Sequence, residues 1–191
     1  VGQRLRDRVK RPACSVFVAL SLDGFLARPD GGLDWLDEAN RTIPQGEDCG
    51  YRTFFSSVDA LVMGRKTFET VWAFPAWPYG EKPVVVRSRS LPSLPSGAPE
   101  SVSLSDESPR DLVDRLGERG HRRLYVDGGE TIRAFLTEDL IDDLTITWIP
   151  IVLGSGVPLF GAEPRDRRLE CVSTRTYRFG FVQTLYRVVR R

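Results

Sequence analysis

Leu61-Val-Met-Gly-Arg-Lys-Thr-Phe-Glu-Thr70 reads as a buried strand that runs straight into the first turn of a helix. Leu61, Val62 and Met63, extended backwards by Ala60, suit a short interior strand. Gly64 allows a tight turn and lets a ligand approach with no Cβ in the way. Arg65, Lys66 and Thr67 follow at the head of the helix, where unpaired backbone N–H groups and the positive dipole end favour an anion. Taken alone, the stretch fits either a phosphate site or a β-to-α turn that is simply basic.

Two other strand ends share its chemistry. Val84-Val-Val-Arg-Ser-Arg89 stops on a hydroxyl and cations, and Val126-Asp-Gly-Gly129 stops on paired glycines before Glu130 and Thr131. In open α/β sheets ligands collect at the carboxyl ends of the strands. Three such ends favour a dinucleotide site, although no G-x-G-x-x-G fingerprint is present.

Composition narrows the classes. In 191 residues, 41% of them apolar, one well-covered core is affordable. Lys+Arg 27 against Asp+Glu 26 gives no general attraction to nucleic acid or membrane, so an anion site must be local. Cys14, Cys49 and Cys171 are widely spaced and form no C-x-x-C pair, which suits reduced thiols rather than a disulfide framework or a metal site. His121 is the single histidine and sits in the basic turn Arg119–Arg123, so neither a histidine-rich zinc site nor a solid Ser-His-Asp triad can be built. No apolar run approaches the roughly 18 residues of a membrane span, and no signal peptide is visible, so the expected compartment is the cytoplasm.

Along the chain, residues 1–12 read as a loose polar arm and residues 13–191 as one domain. Cys14–Leu22 suits a central strand, and Asp23-Gly24 turns it. Glu47–Ser57 is expected as a helix, since Tyr51, Phe54, Phe55 and Val58 recur at helical spacing behind an acidic first turn. Ser108-Pro109-Arg-Asp111 starts another with a hydroxyl cap and an early proline. Leu169–Tyr177 and Phe181–Val189, joined through Arg178-Phe-Gly180, form a terminal hairpin. The class is α/β, a mostly parallel sheet with flanking helices and an antiparallel C-terminal hairpin.

With these pieces in place the chain resembles the dihydrofolate reductase superfamily, in particular the branch holding the reductase domain of bacterial riboflavin biosynthesis. The matching segments are Ala19–Gly24, Met63–Glu69, Val84–Arg89, Val126–Gly129 with Phe135-Leu136, and Asp142–Thr147 followed by Gly154-Ser-Gly156, in the family's order. The resemblance implies an NADPH-dependent reductase of a small pterin- or pyrimidine-like heterocycle. Alternatives are 5-amino-6-(5-phosphoribosylamino)uracil reduction and nucleotide binding without turnover. It implies that Gly64, Arg65, Lys66 and Thr67 hold cofactor phosphates, and that Ser88 and Arg89, with Arg65, surround the 2′-phosphate. Gly128 and Gly129, whose peptide bond is often cis in the family, present the next helix to the pyrophosphate, with Glu130 and Thr131 lining it. Val18, Ala19 and Leu26 flank the nicotinamide. Asp48 stands near the place of the family's substrate carboxylate, with Asp34, Asp37 and Glu38 as rivals, and water near Asp23 is a second proton source. Trp35, Tyr51, Phe55 and Thr147 are candidates for the substrate wall. No metal is expected, and a homodimer through the C-terminal hairpin and a monomer are both open.

Overall fold

The computed structural model describes residues 11–161 and 166–190. Unbroken apolar runs such as Val84–Val86 and Leu124–Val126 require cover on both faces, and they receive it inside one eight-stranded sheet. In chain order the elements are β1 (Ala13–Ser21), β2 (Phe25–Ala27), α1 (Asp34–Asn40), α2 (Tyr51–Ser56), β3 (Ala60–Gly64), α3 (Arg65–Trp72), β4 (Val84–Arg87), β5 (Val102–Ser105), α4 (Pro109–Glu118), β6 (Arg123–Asp127), α5 (Gly129–Thr137), β7 (Ile141–Ile149), β8 (Val157–Pro158), β9 (Leu169–Thr176) and β10 (Val182–Val188). The order across the sheet is β5-β4-β3-β6-β1-β7-β10-β9, parallel from β5 to β7 and antiparallel at the last two joins. A separate ribbon pairs β2 with β8.

Alternate residues of the parallel strands feed two cores. On one face Val16, Leu20, Val85 and Leu124 pack against Leu112 of α4 and Phe135 of α5. On the other, Leu61, Met63, Val84 and Val86 pack against Phe54 of α2 and Phe68 and Val71 of α3. A third cluster joins Trp35 of α1 to Ile149 and Phe181 at the β7–β10 side.

The C-terminal hairpin and the parallel body follow the sequence reading, and so does the start of α4, where the Asp111 N–H donates to Ser108 Oγ at 3.2 Å. One helix does not. The helix expected over Glu47–Ser57 begins only at Tyr51. Asp48 lies outside it and caps it, while Cys49 (φ 52°) and Gly50 (φ 80°) occupy left-handed backbone that interrupts any earlier turn. Of the N-terminal arm, residues 1–10 lie outside the described residues. Arg11 at its end is ion-paired to Asp142 at 2.9 Å, and Pro12 packs on Gly117. No helix among the described residues is long and apolar enough to cross a membrane.

Candidate active site

The three strand ends singled out in the sequence lie side by side. Gly64 is in register with Arg87, Met63 with Asp127, and Arg87 with Ser105, so β5, β4, β3 and β6 all stop along one edge. That edge opens into a cleft of about 760 Å³.

Two helices start directly from it. α3 begins at Arg65 and α5 at Gly129, and neither has a side-chain cap, so their first N–H groups stay open to the cleft. The two helix heads interlock. A Cβ on Gly64 would stand 2.9 Å from Thr131 Oγ1, and a Cβ on Gly128 would stand 2.2 Å from Thr67 Oγ1. Gly128 also has φ +86°, a conformation that side chains disfavour. Lys66 Nζ and Glu130 Oε1 meet at 3.1 Å across the exposed rim, a pair worth little in water. Two positive helix ends that converge in this way have the electrostatics that suit an anion.

The end of β4 adds cations. Ser88 Oγ accepts from the Ser90 and Leu91 N–H groups at 3.2 and 2.9 Å, which bends the chain and leaves its own O–H free to donate. Arg65 reaches Glu69 at 3.3 Å, while Arg89 is exposed and forms no ion pair among the described residues. Arg87 donates through Nη2 to the Glu107 carbonyl at 3.2 Å, and its buried Nε has no partner. Val18 and Ala19 of β1 and Leu26 of β2 supply an apolar wall beside Gly129. Every residue that the resemblance assigns to the cofactor therefore lines this one cleft. The Gly128–Gly129 peptide is trans, not cis.

The other end is aromatic and acidic. Phe17, Leu33, Leu36, Tyr79 and Tyr125 line it, with Asp127 in its floor. Tyr125 and Asp127 are two apart on β6 and so share a face. The Tyr125 hydroxyl donates to the Phe17 carbonyl at 2.9 Å, and Asp127 Oδ1 accepts from the Gly128 N–H at 2.8 Å. Burial pushes the Asp127 carboxyl up to about 6. Burial, reinforced by the Asp127 charge, also pushes Tyr51 up to about 12 and raises Tyr79 and Tyr125, so three hydroxyls lie within electrostatic reach of this carboxylate.

The residues expected at the substrate stand elsewhere. Asp48 does not line the cleft: it accepts from the Gly50 N–H at 3.0 Å, the Arg52 N–H at 2.9 Å and the Arg52 guanidinium at 2.8 Å. Those bonds from Arg52 hold its carboxyl below the usual range, which suits a cap and not an acid. Asp23 lies outside the lining too, and its carboxylate accepts from Leu153 and Gly154 N–H at 3.1 and 2.7 Å, tying down that loop. Among the rivals, Asp34 is paired with Arg28 at 2.6 Å on the surface. Trp35, Tyr51, Phe55 and Thr147 stand behind the wall rather than in it. Trp35 is buried with Cys49 and Tyr177. Tyr51 packs edge-on to Phe17 at 5.6 Å and stacks on Phe55 at 5.7 Å. Thr147 is beside Ala19 in register and accepts from Gln183 Nε2 at 2.8 Å.

Asp127 is the residue that the sequence reading passed over as a candidate acid. Its signal was present: a carboxylate ending a buried strand, two residues after a tyrosine. Tyr79 carries no such signal, since it follows a proline-broken segment and reaches the cleft only through tertiary packing.

Known proteins place the chain in a family. Residues 12–182 match the RibD C-terminal domain. A putative riboflavin biosynthesis protein from Shewanella sp. PV-4 superposes with a TM-score of 0.87 at 40% identity, over 93% of this chain and 99% of that one. The uncharacterized protein YwjB of Bacillus subtilis (strain 168) is 37% identical over 165 residues, 85% of this chain and 90% of its own. A diaminohydroxyphosphoribosylaminopyrimidine deaminase/5-amino-6-(5-phosphoribosylamino)uracil reductase from Thermotoga maritima shares the fold, with a TM-score of 0.71 at 18% identity over 94% of this chain and 57% of that one. The chain thus belongs to the RibD C-terminal domain family and has the dihydrofolate reductase-like fold.

Proposed function

We propose that this protein is an NADPH-dependent reductase acting on a small, flat, pyrimidine-like heterocycle. The observation that carries the reading is the meeting of two uncapped helix heads, pressed together through Gly64 and Gly128, with Arg89, exposed and without an ion pair among the described residues, at the adjoining strand end. A phosphorylated dinucleotide matches that donor set. The heads at Gly64–Thr67 and Gly128–Thr131 would hold the pyrophosphate, and Ser88, Arg89 and Arg65 the 2′-phosphate, where guanidinium geometry suits the oxygens. Val18, Ala19 and Leu26 would face the nicotinamide. Bound there, NADPH supplies the hydride.

The chain's own residues do the rest. Phe17, Leu36 and Tyr79 shape an apolar slot that orients a planar acceptor and excludes water. Asp127, in place of Asp48 or water near Asp23, holds the proton that the acceptor's heteroatom takes as its neighbouring carbon is reduced. A carboxyl pushed up to about 6 is suited to that task near neutral pH. Deprotonation removes the donor, so turnover falls as pH rises through about 6. The test is calorimetric titration with NADPH and NADH, followed by loss of reduced-nicotinamide absorbance with dihydropterin and aminopyrimidine acceptors. Preference for NADPH with acceptor-dependent oxidation supports the reading, and binding without oxidation points to a homologue without turnover.

A further inference from the structure

Charge is divided unevenly along the cleft. Among the described residues that line it, the cations are Arg65 and Lys66 at the head of α3 and Arg87 and Arg89 at the end of β4, all at the end assigned to the cofactor. The acceptor end is lined by Phe17, Leu33, Leu36, Phe74 and Tyr79 around the Asp127 carboxylate. The cation of the adjoining loop, Arg28, does not line the cleft and is paired on the surface, Nε and Nη2 donating to the two Asp34 oxygens at 2.6 and 2.8 Å. A phosphate monoester carries about −1.5 to −2 charge at neutral pH. Placed at this end it would meet apolar walls and the Asp127 carboxyl, and it would lose hydration with no guanidinium or ammonium among the described lining residues to replace it.

We propose that the acceptor is an unphosphorylated heterocycle, neutral or cationic, and not a phosphoribosylated pyrimidine. The proposal rests on the reductase reading above and narrows it. The same features that reject a phosphate favour such a ring: Phe17 and Tyr79 present aromatic surface, and Asp127 can accept from a ring N–H or exocyclic amine. Specificity here comes as much from what the slot repels as from what it holds.

The test uses a matched pair, 5-amino-6-(ribitylamino)uracil and its 5′-phosphate, titrated calorimetrically into the full chain saturated with NADP⁺. The unphosphorylated compound should bind at least about tenfold tighter. In Phe74→Arg, which places a cation at the exposed rim of the slot, that preference should shrink by about threefold or more. Equal or tighter binding of the phosphate by the unaltered chain, binding of neither compound, or an unchanged ratio in Phe74→Arg would overturn the proposal. The NADP⁺ loading titration is read separately: no heat at that step overturns the cofactor reading itself, and the substrate proposal with it.

Discussion

The two ends of the cleft are made of different materials. At the cofactor end, backbone N–H groups, glycines and surface cations converge from consecutive residues at strand ends. At the acceptor end, side chains from β1, α1, β6 and the segment around Tyr79 meet only because the sheet and helices bring them together. The first end is a local device repeated, and the second is a product of packing. The contrast explains why anion chemistry is concentrated in one half and a single raised carboxyl in the other.

Four measurements on three substitutions sharpen the contrast. Asp127→Asn keeps the size and the acceptor for the Gly128 N–H but removes the proton donor. It should lower kcat by about 10²–10⁴-fold, with the NADPH dissociation constant nearly unchanged. Loss of binding instead would mean that the two ends are not separable. Arg89→Ala, at the exposed position proposed for the 2′-phosphate, should weaken NADPH about tenfold and leave NADH unaffected, measured by competition titration. Equal losses for both nucleotides would remove that role.

Asp127 also ties the acceptor end to stability. Its folded pKa, about 6, lies above the ordinary aspartate value of 3.8, so its proton is held more tightly in the native state. The burden of burying its charge is absent below the unfolded pKa and grows as pH rises through the folded one. Asp127→Asn should therefore raise Tm at pH 8, by an amount equivalent to on the order of 2 kcal/mol, and the gain should fade towards pH 4. Melting curves of both proteins across that range provide the check. The smallest change is expected from Asp48→Ala, which removes the α2 cap. Stability should drop by about 1 kcal/mol in denaturant unfolding, with turnover unaltered.

The same contrast governs what could be read from the residues alone. Met63-Gly64-Arg65, Ser88-Arg89 and Gly128-Gly129 were legible because glycine and cation at a strand end have a local physical meaning, and the parallel sheet then aligns them. Phe17 was not legible as a lining residue: in a strand buried on both faces, alternation is erased, and nothing says which residues face the cleft. Asp48 was misplaced because an acidic residue before a helical pattern looks the same whether it sits in the first turn or caps it. The left-handed Cys49 and Gly50 decided for the cap. Tyr51 and Trp35 have the composition of a ring-binding wall yet form its backing, a distinction set by tertiary packing alone.

The central claim is that the helix heads at Gly64 and Gly128 grip a phosphorylated dinucleotide together. Calorimetric titration of NADPH into the unaltered chain and into Gly128→Ala tests it most directly, since the added methyl would enter the 2.2 Å approach to Thr67 and oppose a φ of +86°. The prediction is saturable binding by the first and affinity weaker by about 100-fold in the second, with circular dichroism confirming that the variant is folded. Absence of heat with the unaltered chain, or equal affinity in a folded Gly128→Ala, would contradict it.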